Sequence, residues 1–334
     1  MYRYVIVDCC EVKLPIMGRT SVEWLKGHFP EAQVVSEADA EDHLATPGNV
    51  VLYSDTPLVD RYTVDGILEY MELKGIQSAI LPRGYVTGEG ESEVVAESEN
   101  DFVRLTGPDT YAYIAHELRQ RIIAAHMANG VYFVDPATVY IDADVVIGEG
   151  TLVKPNNILS GNTVIGKGVT LNPGNNLTDT VVGDGSTLTA MVTTEASVGI
   201  DCKMGPYSYL RPGANIGNGV KVGDFVEVKN SNVSDGAKLP HLAYVGDADV
   251  GKRVNVGCGV IFANYDGKKK HRTTVLDGAF IGSNTTLIAP VKVGEMSFIA
   301  AGATVAHEVP DGAFVIARVP ETVKPDKGRK YLEK

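Results

Sequence analysis

Residues 141–165 read IDADVVIGEGTLVKPNNILSGNTVI, and within them Ile141, Ile147, Val153, Leu159 and Ile165 stand six positions apart. The train continues through Leu171 and Leu177. A second runs through Val198, Met204, Leu210, Ile216, Val222 and Val228, and a third through Ile281, Leu287, Val293, Ile299 and Val305. Shorter runs (Val182–Leu188, Val233–Leu239–Val245 and Val250–Val256–Phe262) fill the gaps, with slips of one or two residues between them. A glycine often follows the apolar position, as at Gly148, Gly166, Gly217 and Gly257. A period of six matches neither the 3.6 of a helix nor the two of a half-buried strand. It matches a parallel β-helix of hexapeptide repeats, in which each unit is a short strand and a corner and the apolar residue points inward. About 26 such units, three to a coil, give about nine stacked coils.

The period fails between Phe262 and Ile281, where the stretch 264–273, NYDGKKKHRT, intervenes. An insertion into a solenoid must leave its face as a loop, and loops on rigid scaffolds often carry function. Upstream, residues 108–130 read as one helix: Asp109 is a good N-cap, Tyr113, Ile114, Leu118 and Ile122 share a face, and Gly130 suits the C′ position. Residues 1–105 alternate strand and helix. Tyr4–Val7, Val50–Tyr53 and Ala79–Leu81 read as buried parallel strands, the last stopped by Pro82, with Ser21–Phe29 and Val64–Lys74 as helices. The acidic tract 89–101 reads as an exposed turn or hairpin.

The expected fold is therefore mainly β. It comprises a small α/β domain over 1–105, a linker helix over 106–130, a left-handed parallel β-helix over 131–320, and a C-terminal tail over 321–334.

The 334 residues are 44% hydrophobic and 22% charged, ordinary globular composition, with a net charge of −12. No apolar stretch is long enough to span a membrane. The largest basic cluster, Lys268–Arg272, suffices for one phosphorylated small molecule and not for a duplex, so no nucleic-acid partner is expected. Cys9, Cys10, Cys202 and Cys258 form no CxxC pair, and the N-terminus shows no signal-peptide pattern, which points to a cytoplasmic setting. His241, His271 and His307 lack the paired spacing of a zinc-binding β-helix enzyme.

Residues 131–320, about the last 60% of the chain, closely resemble the C-terminal domain of the bacterial bifunctional N-acetylglucosamine-1-phosphate uridylyltransferase/glucosamine-1-phosphate N-acetyltransferase family. The resemblance is carried by Gly205-Pro206-Tyr207, Leu210-Arg211-Pro212-Gly213, Val222-Gly223-Asp224-Phe225-Val226-Glu227-Val228-Lys229 and His241-Leu242-Ala243-Tyr244. It continues in Asn255-Val256-Gly257, Asn264-Tyr265-Asp266-Gly267, Ala289-Pro290-Val291, Ala300-Ala301-Gly302 and Ala317-Arg318-Val319-Pro320. It implies direct transfer of acetyl from acetyl-CoA to the amine of glucosamine 1-phosphate in a homotrimer, with His241 as general base. Histidine titrates near the working pH and suits that task. By the same resemblance Arg211, Lys229 and Lys270 meet the phosphate and Tyr244 and Asn255 the sugar. Cys258, Asn264, Tyr265, Ser283, Ala301 and Arg318 then line the acetyl-CoA channel, with Cys258 a structural thiol. Glu227 is the expected orienting partner of His241.

The resemblance thins toward the N-terminus. The stretch from Asn49 to Leu58 resembles the family's strand ending in a magnesium-binding aspartate, which makes Asp55 the one magnesium candidate, although acetyl transfer needs no metal. After the first strand, Asp8-Cys9-Cys10-Glu11-Val12-Lys13 replaces the family's glycine-rich triphosphate loop. The first domain is thus expected to be a degenerate, nucleotidyltransferase-like remnant without uridylyl transfer. Two alternatives stand beside the main reading: an acetyltransferase for another amino-sugar phosphate, such as galactosamine 1-phosphate, and a non-catalytic scaffold or regulatory protein.

Overall fold

A computed structural model describes residues 2–95, 99–325 and 327–329. Part of the acidic tract (96–98) and the end of the tail (330–334) lie outside the described residues. The chain forms two compact units, one of residues 1–129 with 140–145 and 159–161, the other of 130–139, 146–158 and 162–334.

The first unit holds strands β1 (Arg3–Asp8), β2 (Gln33–Ser36), β3 (Asn49–Tyr53), β4 (Ala79–Leu81), β5 (Gly84–Val86) and β6 (Glu93–Val94), with helices α1 (Ser21–His28), α2 (Ala40–Leu44), α3 (Arg61–Lys74) and α4 (Pro108–Ala128). Its sheet runs β2-β1-β3-β5-β4-β6. The three expected strands β1, β3 and β4 do run parallel, but Pro82 and Arg83 turn the chain back, so β5 inserts antiparallel between β3 and β4. A three-residue strand containing glycine leaves almost no period-two signal, which is why it was not foreseen. Helix α4 begins two residues earlier than expected. Gly107, not Asp109, is the N-cap, and the Thr110 hydroxyl accepts its N–H at 3.0 Å. Gly130 does take the left-handed conformation, at φ 82°. Ile114 and Leu118 of α4 pack with Cys10, Ile16, Trp24, Leu58 and Leu105 in the first unit's core.

In the second part of the chain three sheets of eleven, ten and nine short strands stack in parallel, forming the walls of a β-helix. Every member of the hexapeptide trains is buried, from Ile141 to Val305. Each removes an apolar side chain from water for about 1.5–3 kcal/mol. Two inward positions lay outside the expected trains. Thr193 fills the gap between Leu188 and Val198, its hydroxyl 2.8 Å from that of Thr180. Val275 is also inward, on the strand Thr273–Val275, so the repeat resumes six residues before Ile281 and the inserted loop ends at Arg272.

Close stacking needs glycine at selected corners. A Cβ on Gly223 would lie 1.9 Å from the Pro240 carbonyl oxygen of the next coil. Only glycine admits that approach, and the residues after these two, Asp224 and His241, are thereby set one above the other in register.

Phe262 is the bulkiest inward side chain of the trains and is fully buried. Phe262→Ala should lower the unfolding free energy by roughly 3–5 kcal/mol, read from a urea transition. An unmoved midpoint would mean that the inward stack does not hold the coils together.

Candidate active site

The strand Lys238–His241 ends at a corner between two of the β-helix walls, with the imidazole more than half exposed. Its Nδ1 is hydrogen-bonded to Asp224 Oδ1 of the preceding coil. The expected partner, Glu227, is not there: it faces the neighbouring wall and holds Arg211, Nη1 to Oε1 at 2.7 Å. The reason is the alternation of strand side chains together with coil register. Asp224 pairs with His241, whereas Glu227 pairs with Tyr244. The histidine holds the Asp224 carboxyl below the usual carboxylate range. A carboxylate can only accept, so Nδ1–H is the donor, and in the neutral imidazole that leaves the lone pair on Nε2. Asp224 was legible in principle, lying one 17-residue coil before His241.

On the adjoining wall Arg211 and Lys229 follow the paired residues Leu210 and Val228, which sets them at equivalent places of successive coils. The inserted loop returns Lys270 to the same place. Its ammonium first, then burial and the charge of Arg211, pull Lys229 below the ordinary lysine value against the opposing charge of Asp247. No carboxylate forms an ion pair with either lysine among the described residues. Asp247 lies close beneath. Burial works to raise its pKa, but the hydrogen bonds from Asn230 and Asn264 and the charges of Lys229 and Lys270 outweigh that and leave it low. Asn264 Nδ2 donates to Asp247 Oδ2 at 2.5 Å and to the Tyr244 hydroxyl at 3.4 Å. Tyr244, Arg211, Lys229 and Lys270 thus lie close together, and the Asn264 side chain reaches Tyr244 as well. Asp247 was not singled out from the sequence.

Four of the six residues assigned to acetyl-CoA form a column along the corner that carries His241. Lys238 pairs with Asn255, which places Cys258 in the coil above His241. The Asn284 N–H donates to the Cys258 carbonyl and the Gly302 N–H to that of Ser283, both at 2.8 Å, so Ser283 and Ala301 continue upward. Arg318 Nη1 donates to the Ala301 carbonyl at 2.8 Å. Tyr265 is not on the column: it belongs to the inserted loop, its hydroxyl on the Gly267 carbonyl at 2.8 Å. Asn255 stands between Lys238 and Phe280 on a wall face, and within one chain it is not brought to the cation cluster.

In the first unit Asp55 is almost fully buried, at the carboxyl end of the β3 strand. Its Oδ1 accepts from Arg83 Nε at 3.1 Å and its Oδ2 from Arg104 Nε at 2.7 Å. Both oxygens that a magnesium ion would use are thus taken by guanidinium groups. The backbone N–H groups of Cys9 and Cys10 both donate to Ser54 Oγ at 3.0 Å.

No protein-family model matches the chain. Curated relatives do. The bifunctional protein GlmU of Clostridioides difficile strain 630 is 48% identical over 207 residues, 62% of this chain and 45% of that protein. Those of Brevibacillus brevis and Carboxydothermus hydrogenoformans are 45% identical over 235 residues and 46% over 251, covering 70% and 74% of this chain and 50% and 54% of theirs. The chain spans about half the length of these relatives. Among solved structures, the UDP-N-acetylglucosamine acyltransferase of Francisella novicida is 16% identical over 61% of this chain and 73% of its own, with a TM-score of 0.38, too low to carry an argument.

The doubly paired Asp55 sets an expectation for metal. Millimolar magnesium should leave the thermal unfolding midpoint of the first unit unchanged, whereas Asp55→Ala should lower it by leaving two guanidinium groups unopposed. A magnesium-dependent rise that vanishes in Asp55→Ala would show that the carboxylate exchanges arginine for metal.

Proposed function

The C-terminal region of this chain belongs with the bifunctional GlmU proteins, and from that premise we propose that it is an acetyl-CoA-dependent N-acetyltransferase acting on glucosamine 1-phosphate. The observation that carries the reading is the alignment of the Asp224–His241 pair with the Cys258–Ser283–Ala301–Arg318 column, beside the close pair of Lys229 and Lys270, whose mutual effect and burial outweigh the opposing charge of Asp247. A scaffold has no physical need for two ammonium groups pressed together. A dianionic phosphate relieves that repulsion, with Arg211 offering a planar fork and the lysines point charges.

The column supplies a shallow, small-residue track along which a flexible thioester lies, ending at His241. In the reaction the amine nitrogen of the sugar attacks the thioester carbonyl. His241 Nε2 takes the proton that the nitrogen must lose, and Asp224 steadies the imidazolium that forms. The tetrahedral intermediate collapses by breaking the C–S bond, and the imidazolium returns its proton to the departing thiolate. The products are N-acetylglucosamine 1-phosphate and CoA. No acyl-enzyme is needed, and Cys258 serves as a wall of the track. Asn255, apart from the cluster in its own chain, suits a homotrimer in which it reaches a neighbour's sugar.

The first unit is read as having lost uridylyl transfer. Triphosphate binding rests on backbone N–H donors, and here those of Cys9 and Cys10 are committed to Ser54.

His241→Ala should lower turnover by about 10²–10⁴ in a free-thiol assay with acetyl-CoA and glucosamine 1-phosphate. Asp224→Asn should lower it as well, with little change in either KM. Wild-type turnover in His241→Ala at neutral pH would refute the base assignment. With magnesium, UTP and N-acetylglucosamine 1-phosphate the protein should release no pyrophosphate above an enzyme-free control. Release abolished by Asp55→Ala would reveal a remodelled nucleotide site.

A further inference from the structure

The inserted loop does more than carry Lys270. At one end Arg272 is paired with both oxygens of Asp249 and donates to the carbonyls of Asn230 at 3.1 Å and Ala248 at 3.0 Å. At the other, Asn264 is tied to Asp247 and its carbonyl accepts the His271 N–H at 2.8 Å. Between them Asp266 makes three bonds. Its Oδ1 accepts the N–H groups of Lys268 and Lys269, each at 2.8 Å, and its Oδ2 lies 2.6 Å from His271 Nε2. Gly267, at φ 92°, lets the chain turn inside this ring of contacts.

Lys270 thus sits between two residues, Lys269 and His271, that are both fastened to Asp266. The arrangement needs a cause, because its ammonium is held against that of Lys229. Like charges brought close repel, and here the nearby Asp247 carboxylate offsets the effect on Lys229 only in part. A loose loop would swing the lysine away.

Resting on the acetyltransferase reading above, we propose that Asp266 is a positioning residue: through His271 and the Lys268 and Lys269 amides it holds Lys270 beside Lys229 and so sets the affinity for the substrate's phosphate. The Lys269 amide first, then His271 and the Lys268 amide, hold the Asp266 carboxyl down at about 2. A depressed carboxylate stabilises above its unfolded value and loses that contribution only as pH falls through the folded one. The ring therefore stays closed across the working range.

The test is a double-mutant cycle. Steady-state kinetics with varied glucosamine 1-phosphate at saturating acetyl-CoA are measured for wild type, Asp266→Ala, Asp266→Asn, Lys270→Ala and Asp266→Ala/Lys270→Ala. Binding of inorganic phosphate to each is measured by calorimetry. Asp266 is exposed, so its loss removes no core packing. Asp266→Ala should raise KM roughly 10–100-fold, the worth of a charge-assisted contact, with kcat changed less than about twofold. Asp266→Asn keeps an oxygen for the two amides and should fall between wild type and Asp266→Ala. The double variant should bind no worse than Lys270→Ala alone, because the two losses are one loss. An unchanged KM in Asp266→Ala, additive losses in the double variant, or a fall in kcat with KM unmoved would overturn the proposal. A wild-type protein without turnover would instead strike down the acetyltransferase reading, and the phosphate titrations would then decide the positioning role alone.

Discussion

Leu239 lies over Val222 and Asn255 over Lys238, each pair joined by parallel hydrogen bonding between one coil and the next. That stacking, about 4.8 Å per coil, turns distance along the chain into height on a wall. Residues one coil apart become neighbours, so Asp224 meets His241, and Cys258, Ser283 and Ala301 follow above them at the same corner. The corner chemistry permits it, because glycine at 223 leaves room for the Pro240 carbonyl. The scaffold needs no mobile part to bring together His241, Asp224 and the column of Cys258, Ser283 and Ala301.

Charge is organised differently from the core. Arg211 is already paired with Glu227, whereas Lys229 and Lys270 face each other with no ion-pair partner among the described residues. The first arrangement steadies a side chain. In the proposed reading the second keeps a site for an arriving dianion, on a loop that is tied at both ends. The first unit shows the opposite case: the Asp55 carboxylate between Arg83 and Arg104 is satisfied without a ligand.

Much of this was legible in the sequence. The inward residues could be named one by one, because a period of six has no competitor among helices or meanders. Thr193 and Val275 escaped, the first because a threonine can point inward when another hydroxyl meets it, the second because the loop hid the phase. Strand β5 was too short to show a period. His241, Arg211, Lys229 and Lys270 could be singled out from motifs, yet Glu227 rather than Asp224 was expected beside His241. Counting 17 residues back along one coil leads to Asp224 rather than Glu227. Asn264, expected along the acetyl-CoA channel, is hydrogen-bonded to Asp247 and Tyr244, contacts that its motif did not reveal. Motif identity names residues, and coil register says which of them touch.

The central claim is that one corner of the β-helix delivers a thioester to His241. A crystal structure of the protein with bound CoA tests it most directly. The account predicts the pantetheine arm along Cys258, Ser283 and Ala301, with its sulfur within reach of His241 Nε2 and Arg318 toward the nucleotide end. CoA lying on another face, with its sulfur far from His241, would contradict it.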